Sequence, residues 1–330
     1  MVGYIIRRML GMVLLLFLLT LAVFFLFNMI PGDPARLTCG KICTPALLEA
    51  NRHRLGLDKP PLEQYEAFLG GLVNGRVYAA DSPAPIQCVA PCLGYSFLRH
   101  QQVLSLITKA LPVTFWLALG GFIIWIVSGI SAGIYAALHR GKWQDRTLMG
   151  IALIGYSLPS FFIGLVLIFF VILQWGLIPF PHYVAPNEDP VKFVQTMILP
   201  WIVIAVLNAA FYVRLTRNQV LETLGEDYVR TARAKGLRER VVVVKHALRA
   251  GLTPIVTAAG LDLAYLLGGA IITESIFNLP GMGNLAVSSV IQSDLPIITG
   301  ITLVAAAFII FANLVVDLLY TVLDPRVRVG

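Results

Sequence analysis

Residues 111–138 read LPVTFWLALGGFIIWIVSGISAGIYAAL and contain no charged side chain. A helix rises about 1.5 Å per residue, so about 20 apolar residues cross the roughly 30 Å hydrocarbon core of a bilayer. This stretch is long enough to do so and to extend beyond the core. It is continuously apolar rather than alternating, which favours a helix over a strand of a membrane barrel. The sequence therefore predicts a helix that spans a membrane.

Five further stretches have the same character, and only one of them holds an acid, Asp262. The first follows Arg7 and Arg8 and resembles a signal peptide, but its apolar run is too long and no small-residue cleavage site follows. We therefore predict an all-α polytopic membrane protein with six transmembrane helices. The five further stretches cover residues 9–30, 148–175, 194–213, 253–273 and 295–316.

Composition agrees with the membrane class. The chain is 58% hydrophobic and 13% charged, with a mean hydropathy of +0.80, which leaves too little polar surface to coat a soluble protein of this length. The net charge of +7 raises the question of nucleic-acid binding. The basic residues cluster at the borders of the apolar stretches, however, so we expect contact with membrane lipid and none with nucleic acid.

The basic loops predict the orientation of the chain. The loops after the second and fourth stretches are rich in Lys and Arg, whereas residues 274–294 have neither. Because basic loops stay in the cytoplasm, both termini are expected there, in a bacterial inner membrane. We divide the chain into residues 1–30, an extracytoplasmic segment 31–102, and a five-helix core 103–330. The basic residues of the two loops are His139, Arg140, Lys142 and Arg146, then Arg214, Arg217, Arg230, Arg233, Lys235, Arg238, Arg240, Lys245 and Arg249.

All four cysteines lie in the extracytoplasmic segment, as two pairs of equal spacing, Cys39 with Cys43 and Cys88 with Cys92. An oxidising compartment favours two disulfides, with three possible connectivities. Disulfides between the two pairs would stabilise this segment, which is too small to have a large hydrophobic core of its own. The alternative is a four-thiolate metal site, but we predict no metal. Turn and cap residues also predict short helices over residues 46–55 and 61–73.

The cytoplasmic loop at residues 218–250 carries the strongest functional signal. Residues 225–251 read GEDYVRTARAKGLRERVVVVKHALRAG. Asp227 suits the start of a helix, and Gly236 allows a sharp turn at its end. The pattern predicts a short helix against the membrane face, with a small-residue end and basic flanks. The alternative is a basic loop that only touches anionic lipid.

This loop resembles the EAA motif of bacterial ABC importer permeases. Arg230, Thr231 and Ala232 stand at its E-A-A positions, and Gly236 stands at its glycine. The sequence DYVRTARAKGL, followed by KHALR, is similar to the corresponding sequence of the B-type permease subunit of dipeptide, oligopeptide and nickel importers. Supporting pieces are YIIRRML at 4–10, PGDP at 31–34, LGLD at 55–58, ESIF at 274–277, PGMG at 280–283 and LDPRVR at 323–328.

The resemblance implies a type I importer, in which this chain is the non-catalytic permease. It implies a second permease, two P-loop ATPase subunits or domains and an extracytoplasmic substrate-binding protein as partners. ATP and Mg would bind to the ATPases, and this chain would bind no cofactor. The residues expected to couple to an ATPase are Asp227, Tyr228, Arg230, Thr231, Ala232, Arg233, Ala234, Lys235 and Gly236.

Two acids are candidates for the translocation pathway. Asp262 lies inside the fifth stretch, where an acid usually faces a cavity or a partner. Either it meets a peptide amino group or a metal cation, or it is tied to a neighbouring helix or base. Glu274 lies at the outer boundary, where water is expected to reach it.

Peptides are the expected cargo, with nickel or another small solute as the alternative. A secondary transporter driven by an ion gradient is the less favoured class, because the sequence shows no inverted repeat. An enzyme is disfavoured too. The histidines lack ligand spacing, and no nucleophile motif or phosphate-binding loop is present.

Overall fold

The computed structural model describes residues 2–29, 34–37, 43–78 and 85–323. Within these ranges the fold is mostly helical, with two small antiparallel hairpins. The α-helices are α1 (Val2–Met29), α2 (Pro34–Leu37), α3 (Pro45–Leu55), α4 (Pro61–Asn74), α5 (Val103–Leu138), α6 (Trp143–Ser157), α7 (Ser160–Leu167), α8 (Pro190–Leu224), α9 (Asp227–Ala234), α10 (Glu239–Val241), α11 (Arg249–Gly251), α12 (Thr253–Leu267), α13 (Ile271–Ile276), α14 (Met282–Ile291) and α15 (Leu295–Leu323).

Two π-helical segments interrupt this series. The first, Ile168–Gln174, continues α7, and the second, Val242–Leu248, joins α10 to α11. The strands are β1 (Arg76–Tyr78), β2 (Ile86–Cys88), β3 (Tyr95–Ser96) and β4 (Gln101–Gln102). β1 pairs with β2 and β3 pairs with β4. The prediction of an all-α chain is therefore right for the described part of the core and wrong where strands β1–β4 lie.

Four of the expected spans are single helices that are long and apolar enough to cross a membrane: α1, α5, α8 and α15. The other two are bent pairs, so the described residues hold four spans, or up to six if each pair counts as one. α6 meets α7 and its π-helical continuation at 96°. The bend has a local cause, because Leu158 precedes Pro159 and is extended, as residues before proline prefer.

The fifth expected span is bent as well. The helical segment that ends at Gly251 meets α12 at 47°. α12 ends at Leu267, and the chain then restarts as the short helix α13. The continuous helix predicted over residues 253–273 is therefore wrong at its outer end, where Gly268 and Gly269 separate α12 from α13.

The centre of the core is the contact between α5 and α8. A side chain at Gly129 would come within 2.7 Å of Tyr212 Cβ, and one at Gly133 within 2.6 Å of Thr216 Cβ. Small residues let two membrane helices approach this closely. Because later glycines of α5 meet later residues of α8, the two helices run parallel. The predicted topology also requires this, since the second and fourth spans cross in the same direction.

Residues 43–78, within the segment predicted to be extracytoplasmic, contain both predicted helices. α3 begins after Thr44, whose hydroxyl accepts a hydrogen bond from the Leu47 backbone N–H at 3.3 Å. It ends at Gly56, where φ is +68°, a conformation that favours glycine. α4 packs Tyr65 against the first membrane helix, with its hydroxyl 2.9 Å from Thr20 Oγ1. These helices agree with the predicted bounds to within one residue at each end.

The disulfide at Cys88 differs from the bond between the two cysteine pairs that the sequence suggested. Cys88 is bonded to Cys92, four residues away, so this bond closes a local loop instead of joining the two pairs. The same bond removes these two thiols from a shared metal site. Cys43 is also disulfide-bonded, and Cys39 lies outside the described residues.

Candidate functional site

α9 occupies the predicted position of the coupling helix. It runs from Asp227 to Ala234, and the chain turns at Gly236, where φ is +75°. Val229 and Ala232 are buried, and they form a small apolar cluster with Val242 and Leu224. α9 is therefore packed on the end of α8 and on the π-helical segment that leads to α12.

The other predicted coupling residues are exposed on the outer side of α9 and its turn. Ala232 was expected among the small contact residues, but it is only 5% exposed and faces the protein itself. Ala234 and Gly236 remain exposed. The exposed set consists of Asp227, Tyr228, Arg230, Thr231, Arg233, Ala234, Lys235 and Gly236.

One of the basic residues already has an acidic partner within the loop. Arg233 donates to the carboxylate of Glu239, with Nη2 2.7 Å from Oε1 and Nε 3.1 Å from Oε2. This two-point contact raises the pKa of Arg233. Arg230 instead lies 3.5 Å from Asp227 in an exposed pair on the same helix. The ion pair of Arg233 closes the turn between α9 and α10.

A partly buried ion pair that the sequence did not reveal ties the two basic loops together. Arg217 Nε lies 2.6 Å from Asp145 Oδ1, and Arg217 Nη2 lies 2.8 Å from Oδ2. The backbone N–H of Gly141 donates to the same carboxylate at 2.9 Å. Asp145 is the lone acid among the basic residues of 139–146. An acid in such a stretch is the sequence feature that could have indicated an ion pair.

Asp262 is half-buried and meets α8. Tyr212 donates its hydroxyl to Asp262 Oδ2 at 2.6 Å. Tyr212 is fully buried, and its ring packs beside Trp125 of α5. Asp262 therefore stands where α5, α8 and α12 come together. Its predicted place in a translocation pathway stays a prediction.

Glu274 is fully buried, which corrects the expectation that water reaches it. The Thr114 hydroxyl donates to Oε1 at 2.8 Å, and the Asn284 backbone N–H donates to Oε2 at 2.9 Å. Thr114 Oγ1 in turn accepts from the Met282 backbone N–H at 2.8 Å. The carboxylate thus caps the start of α14 and ties the hairpin formed by α13 and α14 to α5.

A second polar cluster joins the residues just before α5 to the rest of the core. The Ser96 hydroxyl donates to the carboxylate of Asp294, just before α15. Arg99 Nη2 donates to Ser288 Oγ at 2.9 Å. Burial raises the pKa of Asp294, although the hydrogen bond from Ser96 and the charge of Arg99 oppose that shift.

Comparison with known families decides the class of the protein. The family described as binding-protein-dependent transport system inner membrane component matches residues 129–329, and the N-terminal region of such components matches residues 1–118. The chain belongs to this family of transport permeases. It is therefore a non-catalytic membrane subunit of an ABC transporter complex, as the motif resemblance implied.

The relatives of this permease match it over its full length. The glutathione transport system permease protein GsiC of Escherichia coli K12 is 37% identical over 99% of both chains. A putative peptide transport system permease protein of Brucella abortus is 36% identical over 99% of both chains. These matches confirm the predicted resemblance to peptide importer permeases.

A solved structure supports the fold of the permease. A chain of the MetNI methionine ABC transporter, in an inward-facing conformation, aligns with this permease at a TM-score of 0.54 and 18% identity. The alignment covers 67% of this chain and 97% of the MetNI chain. At this identity the likeness concerns the fold alone.

Proposed function

We propose that this permease forms half of the membrane pathway of an importer for small peptides, glutathione among them. Its full-length relatives are named for glutathione and peptide transport, which favours peptides over nickel. The partners would be a second permease, two cytoplasmic ATPases that bind ATP and Mg, and an extracytoplasmic binding protein. The six-span topology with both termini in the cytoplasm belongs to the same proposal.

The exposed helix α9 is the observation that carries this function. It presents polar and small side chains outward, while Val229 and Ala232 hold it to the protein. A partner that fits this surface would contact Tyr228, Thr231 and Ala234. The bases Arg230 and Lys235 would meet acids on that partner, because complementary charge steers association.

The packing of α9 explains how movement would reach the membrane. Leu224 connects α9 to the end of α8, and Val242 connects it to the π-helical segment before α12. A side chain at Gly251 would lie 3.1 Å from Thr223 Oγ1, so the segment before α12 also crosses α8 closely. Closure of the ATPase pair would therefore displace α8 and α12 together, which are the helices that hold Tyr212 and Asp262.

Copurification tests the proposal. The tagged chain is extracted from its native membrane in mild detergent, beside Ala234→Asp and the control Lys142→Asp, which changes an exposed residue of the other basic loop. We expect a P-loop ATPase and a second permease with the native chain and the control, and loss of the ATPase from Ala234→Asp. A native chain that carries no ATPase would contradict the proposal and favour a transporter driven by an ion gradient.

A further inference from the structure

The carboxylate of Asp262 has one oxygen held by the protein and one left open. Among the residues that the structure describes, its only side-chain hydrogen bond is the one from Tyr212 to Oδ2, and no base forms an ion pair with it. An ionised carboxylate at membrane depth is costly unless it meets a positive group or water. The open oxygen, Oδ1, is therefore a candidate point of recognition.

The position of Asp262 on α12 shows where that oxygen is presented. Ala259 faces the core, whereas Leu261 and Tyr265 are exposed, Tyr265 to 74%. Asp262 lies between these two faces and is itself half-buried. A charged group beside the exposed face is costly in surrounding lipid, so we expect this face to border a water-filled space or a partner subunit. In a pair of permeases, that space is the pathway between them.

The geometry of Tyr212 fixes the carboxylate in this position. Tyr212 is fully buried, and a side chain at Gly129 of α5 would already meet its Cβ, so the tyrosine has little freedom to move. Its hydroxyl can donate only one proton, which Oδ2 takes. The carboxylate is thus held at one end and free to accept a second hydrogen bond at the other.

The chemistry of this site selects between a metal ion and an ammonium group. A dedicated protein site for a divalent cation usually gathers several Asp, Glu, His or Cys side chains. Among the described residues, no group of three or more His, Cys, Asp or Glu side chains could hold a metal. An ammonium group carries three donors and is satisfied by one carboxylate oxygen, a second oxygen and water.

We infer that Asp262, positioned by Tyr212, binds the free amino group of a peptide in the translocation pathway. This inference rests on the proposed peptide importer and adds to it a preference for the positive end of the substrate. The binding protein delivers the peptide, and Asp262 then contacts it within the membrane. Charge-assisted hydrogen bonds of this kind are the stronger class in proteins.

Two substitutions separate charge recognition from a structural role. Asp262→Asn keeps an oxygen that accepts from Tyr212 but removes the charge, whereas Tyr212→Phe removes the hydrogen bond but keeps the charge. We expect Asp262→Asn to slow peptide uptake about tenfold, the loss of one charge-assisted hydrogen bond. Asp262→Glu would keep most of the uptake, and Tyr212→Phe, which loses the positioning hydrogen bond but keeps the charge, would slow uptake less than Asp262→Asn does. The opposite ranking would assign Asp262 a structural role and overturn the inference.

The assay uses the complete transporter in proteoliposomes with excess binding protein. The probes are dialanine and N-acetyl-dialanine, and Glu66→Gln, which changes an exposed acid of α4, is the control. We expect the native transporter and the control to favour dialanine, and Asp262→Asn to lose most of that preference. Since the binding protein is the same throughout, the change in ratio belongs to the permease. An unchanged ratio overturns the inference alone, whereas a native transporter that carries neither probe overturns the peptide importer and the inference with it.

Discussion

The α13–α14 hairpin and the α9 loop belong to the same core, but they are attached to it in opposite ways. A buried carboxylate, Glu274, holds the hairpin to α5 through the Thr114 hydroxyl and the backbone of α14. Two apolar side chains and the exposed Arg233 pair hold α9. The hairpin is thus built to keep one position relative to α5. The α9 loop is held by weaker contacts, which suits a surface that a moving partner displaces.

The largest effect should come from removing the anchor of the hairpin. Glu274→Ala leaves the Thr114 hydroxyl and the backbone N–H groups of Gly283 and Asn284 without their acceptor. Each such group costs about 1–3 kcal/mol, so we expect a loss of at least about 3 kcal/mol in the free energy of unfolding. Thermal unfolding in detergent measures it, with the exposed Glu63→Ala as the control. Equal unfolding temperatures for Glu274→Ala and the native chain would show that the carboxylate is not the anchor.

The ion pair between the basic loops should give the next largest effect. Asp145→Asn leaves the partly buried guanidinium of Arg217 without its countercharge. A buried charge that loses its partner costs about 3–5 kcal/mol, and partial exposure of Arg217 lowers the expected loss to about 2 kcal/mol. Unfolding of Asp145→Asn is compared with that of Glu222→Gln, which removes an exposed acid. A loss no larger than that of the control would contradict the role of this pair.

The contact within the α9 loop should be much weaker. Arg233 and Glu239 are both exposed, and such pairs contribute about 0.2–1 kcal/mol. A double-mutant cycle of Arg233→Ala and Glu239→Ala, measured on the purified chain without ATPase, gives the interaction energy. A value above about 2 kcal/mol would mean that the loop is as firmly held as the hairpin, and the contrast between them would fail.

The smallest effect concerns the dependence of stability on pH at Asp294. Burial raises the pKa of this carboxyl above its ordinary value of 3.8. The stabilisation of the folded chain that this raised pKa provides is therefore fully present below pH 3.8. It is lost as the pH rises through the raised pKa of Asp294. We expect the stability of the native chain relative to Asp294→Asn to fall as the pH rises from the acidic range toward neutral. A rise over the same range would contradict the direction of the shift.

The sequence predicted the features that local pattern controls. Continuous apolar runs identified the membrane helices, and the pattern from Asp227 to Gly236 identified α9 to within two residues. The bend at Leu158 was missed, although Pro159 was visible, because the surrounding residues are apolar throughout. The strands β1–β4 were missed because two or three residues are too few to show an alternating pattern.

The partners of the buried acids could not be predicted from local pattern. Glu274 bonds to Thr114, 160 residues away, and Asp145 bonds to Arg217, 72 residues away. Only the packing of α5 against the other helices brings these side chains together. For the same reason the sequence placed Ala232 on the contact surface. Helical spacing alone does not say which face the chain covers with its own Leu224 and Val242.

The central claim is that the exposed side of α9 contacts an ATPase, and cysteine cross-linking tests it most directly. Ala234→Cys places a thiol on that side, whereas Ala232→Cys places one on the buried side of the same helix. In membranes that contain the whole transporter, a short reagent with one thiol-reactive end and one photoreactive end should join Ala234→Cys to the ATPase subunit and leave Ala232→Cys unjoined. Failure of Ala234→Cys to cross-link to the ATPase, in membranes where the ATPase copurifies with the chain, would contradict the account.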